Sequence, residues 1–288
     1  MSLQYEVLVT AGAERARAQR LPDGGPIVSS PLSTTLVYGE TDAALVDPPF
    51  LGDRIAEVAD WVARSGKRLR YVYVTHGHGD HWFGAAELLK NFPDAIVYAT
   101  PGTIEVMHQQ ATVGREQVWD PDFPGLIPPS PVLAEPVPET GFALEGQLLH
   151  AIDVGHTDTD RTSVLHVPSI GLVVAGDAVY NGVHQYVLEG GDGGLKEWLR
   201  GLDTLAALRP RFVVAGHKNR ALRDDPAIIE STRAYLLDVI ELLDRKPSAR
   251  EFYDEILRRH PDRLNPSPVW YAAVALLGDG ESDSAAER

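Results

Sequence analysis

The run Thr75-His76-Gly77-His78-Gly79-Asp80-His81 constrains this chain more than any other stretch, because it packs four metal-ligating side chains into six positions. Imidazole nitrogens and carboxylate oxygens suit zinc and its first-row neighbours. The preceding segment, Leu69-Arg70-Tyr71-Val72-Tyr73-Val74, is aromatic and β-branched, the composition of a buried strand. His76 therefore leaves a strand end, and Gly77 and Gly79 allow a tight turn on which alternate side chains converge. A chance cluster of structural histidines does not account for this density at a strand exit. The run predicts a metal site.

Three later pieces extend it: Gly155-His156-Thr157, Ala175-Gly176-Asp177-Ala178 and Ala215-Gly216-His217-Lys218. Each follows a strand-like segment, at 149–154, 171–175 and 211–215. Upstream, Ala43-Ala44-Leu45-Val46-Asp47 is a further strand ending in an aspartate. In this order, from about 47 to 217, the pieces resemble the His-x-His-x-Asp-His signature of the metallo-β-lactamase-fold hydrolases and the motifs that accompany it.

That resemblance implies an α/β fold, a four-layer αββα sandwich, here with extra C-terminal helices. It also implies a dinuclear centre. His76, His78 and His156 would hold the first ion, Asp80, His81 and His217 the second, and Asp177 would bridge them. Two divalent metal ions follow, zinc expected, with iron, manganese or cobalt compatible with the same donors. Such a pair lowers the pKa of a shared water, so that a metal-bridging hydroxide is available at neutral pH. Asp47 is expected to orient a histidine from behind, or else to be a turn residue ahead of Pro48-Pro49.

Between these motifs the pattern alternates as a layered α/β protein requires. Segments 34–38 and 43–46 form a hairpin around Gly39-Glu40-Thr41-Asp42. Ile55, Val58, Ala59 and Val62 give 53–65 a helical stripe that Gly66 ends. Further helices are expected at 83–91 and 100–110, with a strand at 95–99 between them. Residues 111–146 carry prolines at 121, 124, 128, 129, 131, 136 and 138 and read as an irregular insertion, either a lid over the metal mouth or a surface-packed loop. From 226 to 277 the chain is helical, with a stripe from Ile228 to Leu243 and further helices at 249–260 and 269–277 that pack on the body, narrow the substrate entrance or form a homodimer contact. A single domain is expected over 1–277, and the polar stretch 278–288 is expected to be a disordered tail.

Composition narrows the function classes. A net charge of −15 opposes a nucleic-acid partner, because phosphate binding needs a basic surface. No stretch approaches the roughly 20 apolar residues of a membrane span, and the first residues lack the pattern of a signal peptide, so a cytoplasmic location is expected. The chain has no cysteine, which excludes disulfides and thiolate ligands.

Other candidate residues flank the motifs. His184 is a candidate pocket residue, and Lys218 a candidate partner for a substrate carboxylate. Asp158, Asp160 and Arg161 are either outer groups supporting the ligands or a charged turn. His108, His150, His166 and His260 read as structural or solvated.

Tyr180 stands three residues after Asp177, as a tyrosine does in the family's quorum-quenching lactonases, where its hydroxyl reaches the substrate carbonyl. A phenol there can donate to a developing oxyanion; the plainer alternative is a core tyrosine. Zinc β-lactamases usually lack the bridging aspartate, so Asp177 points instead to the branch of lactonases, thioesterases, phosphodiesterases and sulfatases. His78, where a diiron variant carries glutamate, disfavours the oxygen-reducing branch. The expected reaction is hydrolysis of a small-molecule ester or lactone, with Asp80 orienting the nucleophile and shuttling a proton. The alternatives are a glyoxalase-II-like thioester hydrolase, for which Arg220 and Arg223 are candidate carboxylate binders, a phosphodiesterase, a β-lactamase, or a non-catalytic metal-binding protein.

Overall fold

Residues 2–278 are described by a computed structural model. The expected disordered tail lies, from 279 onward, outside the described residues. The chain opens with β1 (Gln4–Thr10), β2 (Leu32–Tyr38) and β3 (Asp42–Val46), then α1 (Gly52–Arg64), β4 (Arg68–Tyr73), α2 (Ala85–Asn91), β5 (Ile96–Ala99) and α3 (Pro101–Gln109). After α4 (Asp120–Asp122) come β6 (Glu135–Pro136), β7 (Phe142–Leu144), β8 (Gln147–Gly155), β9 (Thr162–Val167) and β10 (Leu172–Asn181). The remainder is α5 (Gly194–Ala207), β11 (Phe212–Lys218), α6 (Ile228–Asp244), α7 (Ala249–Arg259) and α8 (Ser267–Leu277).

The strands form one curled mixed sheet in the order β6-β5-β4-β3-β2-β11-β10-β9-β8-β7, with β1 on the other side of β2. Its two halves meet where β11 pairs with β2 at His217 and Leu32. Val37, Val46, Tyr73, Leu149, Val174 and Val214 fill the space between the halves. Leu36, Val58, Val72, Trp82 and Leu88 belong to a second cluster that seats α1 and α2 on one half. Trp198, Leu202, Tyr235, Leu236 and Phe252 belong to a third, seating α5 to α7 on the other. Three apolar interfaces separate four layers, which is the αββα sandwich with helices added at the C-terminus.

Local chemistry explains the elements. Ile55, Val58, Ala59 and Val62 are the buried face of α1, and Gly66, at φ 69°, provides the left-handed turn after it. Thr100 caps α3 by accepting from the Thr103 amide. The β2–β3 turn is clamped by Glu145, whose carboxylate accepts from the amides of Glu40, Thr41 and Asp42. These backbone hydrogen bonds hold its carboxyl at about 2.

One expectation is corrected. The Pro-rich insertion is not irregular from its start, because α3 continues through Gln110–Trp119 as a wider π-type helix and into α4. The first proline is Pro121, so nothing in 111–119 breaks a helix, and a wider helix hides the 3.6-residue stripe. No helix among the described residues is long and apolar enough to cross a membrane.

Candidate metal centre

The histidine run leaves β4 and passes through a short 3₁₀ turn at Gly79–His81. Gly77 and Gly79 are needed there for room rather than for a left-handed turn. Neither has a positive φ, but a Cβ on Gly77 would lie 2.5 Å from Val106, and one on Gly79 2.1 Å from the Phe83 ring. The Trp82 indole pins the run by donating to the Gly77 carbonyl at 2.9 Å.

Each histidine of the centre has one ring nitrogen tied from behind. His76 Nδ1 lies 3.0 Å from Thr75 Oγ1, whose hydroxyl donates to Asp47 Oδ2 at 2.7 Å. His81 Nδ1 meets the same Asp47 oxygen at 3.2 Å. His78 Nε2 is 2.9 Å from Glu189 Oε1, and His217 Nδ1 is 2.9 Å from the Pro31 carbonyl. Such outer partners fix the tautomer and aim the other nitrogen. Asp47 is thus a support for two histidines, and its backbone is left-handed, at φ 55°.

The free nitrogens converge in two adjacent groups, joined where the His76 and His81 ring centroids lie 4.1 Å apart. One group is His76, His78 and Asp158; the other is Asp80, His81 and His217; a third set, Asp47, His76 and His81, overlaps both through its two imidazoles. Asp177 stands with the second. Its Oδ1 is 3.4 Å from His81 Nε2 and its Oδ2 is 3.2 Å from His217 Nε2, while Asp80 Oδ2 is 3.5 Å from His217 Nε2. Gly216 makes this approach possible, since a Cβ there would lie 2.2 Å from Asp177 Oδ1.

His76 Nε2, His81 Nε2, Asp158 Oδ2 and Asp177 Oδ1 are buried without a hydrogen-bond partner. An unsatisfied buried polar atom costs about 1–3 kcal/mol, and four gathered in one place fit cation ligands. The electrostatics agree. Burial opposes charge on Asp80 and Asp177, but His81 and His217 outweigh it and hold both carboxyls well below the usual range. Burial likewise opposes an imidazolium at His78 and His217, yet Asp158 and Glu189 raise the first and Asp177 the second. The site thus favours positive charge between its carboxylates. His76 is held neutral by burial and by His81, the state in which imidazole ligates.

His156 is not gathered with any two other donors. Its Nδ1 lies 2.6 Å from Asp160, and its Nε2, like the four atoms above, is buried without a hydrogen-bond partner, against α5, where a Cβ on Gly194 would lie 2.5 Å from it. A register shift between Asp153 and Gly155 and a left-handed Gly155, at φ 83°, change the direction of the chain just before it.

Tyr180, fully buried at the end of β10, donates to Asp177 Oδ2 at 2.6 Å. Burial and the neighbouring Asp177 push its phenol well up, so it stays protonated.

Two sequence candidates lie elsewhere. His184 is buried beneath the C-terminal helices with Nδ1 3.1 Å from the Tyr235 hydroxyl. Lys218 is paired with Asp224 and faces a separate cavity lined by Tyr5 and Arg220. Strand alternation is the reason, since neighbours on β11 point to opposite sides and His217 takes the inner one.

The metal groups open into a cavity of about 290 Å³, lined in part by His78, Asp80, Asp158, Tyr180 and His217. Sequence reasoning missed Glu189, which no motif marks, and Arg15 and Arg17. These two arginines reach the cavity from the N-terminal segment and share buried Asp122. Gln110, Val118 and Trp119 bring the π-type helix to the same wall.

Comparison with known proteins agrees with this geometry. Residues 30–217, more than half of the chain, match the model of the metallo-beta-lactamase superfamily. Among solved structures, a beta-lactamase domain protein from Burkholderia ambifaria superposes with a TM-score of 0.66 at 18% identity, covering 96% of this chain and 85% of the other. A metallo-beta-lactamase family protein from Thermus thermophilus gives 0.64 at 19% identity, covering 98% and 94%. A hydroxyacylglutathione hydrolase from Francisella tularensis is 37% identical over 67 residues, 23% of this chain. One from Francisella philomiragia is 37% identical over 65 residues, 22% of this chain. The chain matches about a quarter of each curated relative, 25% and 24% of their lengths. By fold and by family model, the chain belongs to the metallo-beta-lactamase superfamily.

Proposed function

We propose that this chain is a metal-dependent hydrolase that cleaves an ester or lactone of a small molecule, with zinc as the ion. The observation that carries the reading is the Tyr180 hydroxyl, set 2.6 Å from Asp177 Oδ2 on the wall of the cavity that holds Asp80 and His217. A metal pair held there supplies a nucleophilic water at neutral pH and polarises the acyl oxygen.

The chain's own groups do the rest. Tyr180 stays protonated, and its single hydroxyl proton, which points to Asp177 Oδ2 in the absence of substrate, turns to the oxygen on which charge develops. Asp80, on the cavity wall beside His217, orients the attacking water, takes its proton and passes it to the leaving alkoxide. Ile27, Val28, Val118, Trp119 and Leu188 give the acyl chain an apolar wall. The volume of about 290 Å³ suits a small substrate.

Thioester hydrolysis is the second reading, favoured by the partial similarity to hydroxyacylglutathione hydrolases. Its anion binders would be Arg15 and Arg17, which line the cavity, rather than Arg220, which lines the other one. A parallel screen of lactones, aryl esters, thioesters and phosphodiesters tests both. The first reading expects lactones or aryl esters to give the highest kcat/KM. A preference for thioesters moves the assignment to the second, and a preference for phosphodiesters, or no turnover at all, rejects both.

A further inference from the structure

Asp158 is the least expected member of the centre. It follows His156 by two residues, is fully buried, and lies on the loop between β8 and β9. Its Oδ2 sits 2.8 Å from His78 Nδ1 and 3.6 Å from His76 Nε2, yet forms no hydrogen bond. The three donor atoms of His76, His78 and Asp158 all lie within 4.8 Å of one another, as ligands of one ion do. Ligand bonds of about 2.0–2.2 Å in a tetrahedral site place donors roughly 3.3–3.6 Å apart, the separation of Asp158 Oδ2 from His76 Nε2, and the His78 Nδ1 contact opens to it when an ion enters.

The rest of the loop holds this carboxylate in place. Thr157 Oγ1 lies 3.0 Å from Asp158 Oδ1. Thr159, the next residue, donates to Glu189 Oε2 at 2.7 Å, and Glu189 Oε1 holds His78 from behind. One short loop therefore supplies a donor and braces the carboxylate that aims the neighbouring imidazole.

We infer that Asp158 is a direct ligand of the first metal ion, completing a set of His76 Nε2, His78 Nδ1 and Asp158 Oδ2. The inference rests on the metal-centre reading above and changes its chemistry. Two imidazoles and a carboxylate form a harder donor set than three imidazoles, one that accepts iron(II) or manganese alongside zinc. The carboxylate also neutralises one charge of the ion it holds, whereas a third imidazole neutralises none.

The chain has no cysteine, which permits a direct test. Asp158→Cys and His156→Cys are each loaded with cobalt(II), and the near-ultraviolet thiolate-to-cobalt charge-transfer band is recorded. The band is expected in the Asp158 variant. Its appearance in both variants also supports the assignment, with His156 as a fourth donor. Its appearance only in the His156 variant, or in neither, overturns it.

Asp158→Asn gives a second reading, with folding checked by circular dichroism. Metal analysis is expected to show loss of about one of two equivalents, with first-site affinity down by more than the 10–100-fold typical of removing an outer partner. An Asn variant that keeps both equivalents at unchanged affinity overturns the assignment while leaving the metal centre intact. Unaltered protein that binds no metal overturns the centre itself.

Discussion

The Tyr180 hydroxyl donates to Asp177 Oδ2 at 2.6 Å, and the same carboxylate oxygen lies 3.2 Å from His217 Nε2. One aspartate is therefore oriented from two sides, by a phenol that faces the substrate cavity and by an imidazole of the metal group. The register shift in β10 between Gly176 and Tyr180 makes the arrangement possible, by bringing both side chains of one strand to the same site.

Replacing Tyr180 with Phe removes the donor but keeps the ring that stacks near His217. Turnover of the preferred ester or lactone is expected to fall by about 10²-fold, the usual loss for one oxyanion donor, with metal content unchanged. Paired rate and metal measurements check this. An unaltered rate takes Tyr180 out of the chemistry, and a parallel loss of metal makes it a support for Asp177 instead.

Asp47 supports both metal groups from behind, through Thr75 to His76 and directly to His81. Asp47→Asn should weaken metal binding by about 10–100-fold, measured by chelator competition. Equal affinity in the two proteins would show that the ligands are held without it.

His184 predicts a pH dependence of stability away from the metal centre. Burial, with Arg263 and His260 nearby, lowers its pKa to about 3 from an ordinary 6.5. The unfolded chain therefore binds the extra proton between these values. The contribution to stability is whole above pH 6.5 and falls by up to about 1.4 kcal/mol per unit as the pH drops towards 3. His184→Gln, which cannot titrate, should flatten that part of the profile in urea unfolding at several pH values. An unchanged slope would assign the dependence to other groups.

Much of this was legible in the sequence, for specific reasons. The histidine run, Asp177 and His217 stand at strand ends, where local pattern fixes both the element and the exit of the side chain. The stripe of α1 and the helices from Ile228 onward follow from apolar spacing alone. What escaped depends on direction or on distant contacts. His156 and Asp158 are two residues apart, and the backbone turn at Gly155 governs which of them faces inward. Glu189, Arg15 and Arg17 reach the centre from segments without a motif, through tertiary packing. Lys218 was misplaced because its neighbour His217 takes the inward face of the strand. The helix at 110–119 has no 3.6-residue stripe to announce it.

The most direct test of the central claim is metal analysis of the purified full chain after reconstitution. Two adjacent donor groups, Asp80-His81-His217 and His76-His78-Asp158, predict about two equivalents of a first-row divalent ion per chain, as a two-metal hydrolytic centre requires. Binding of one equivalent or none would contradict the account.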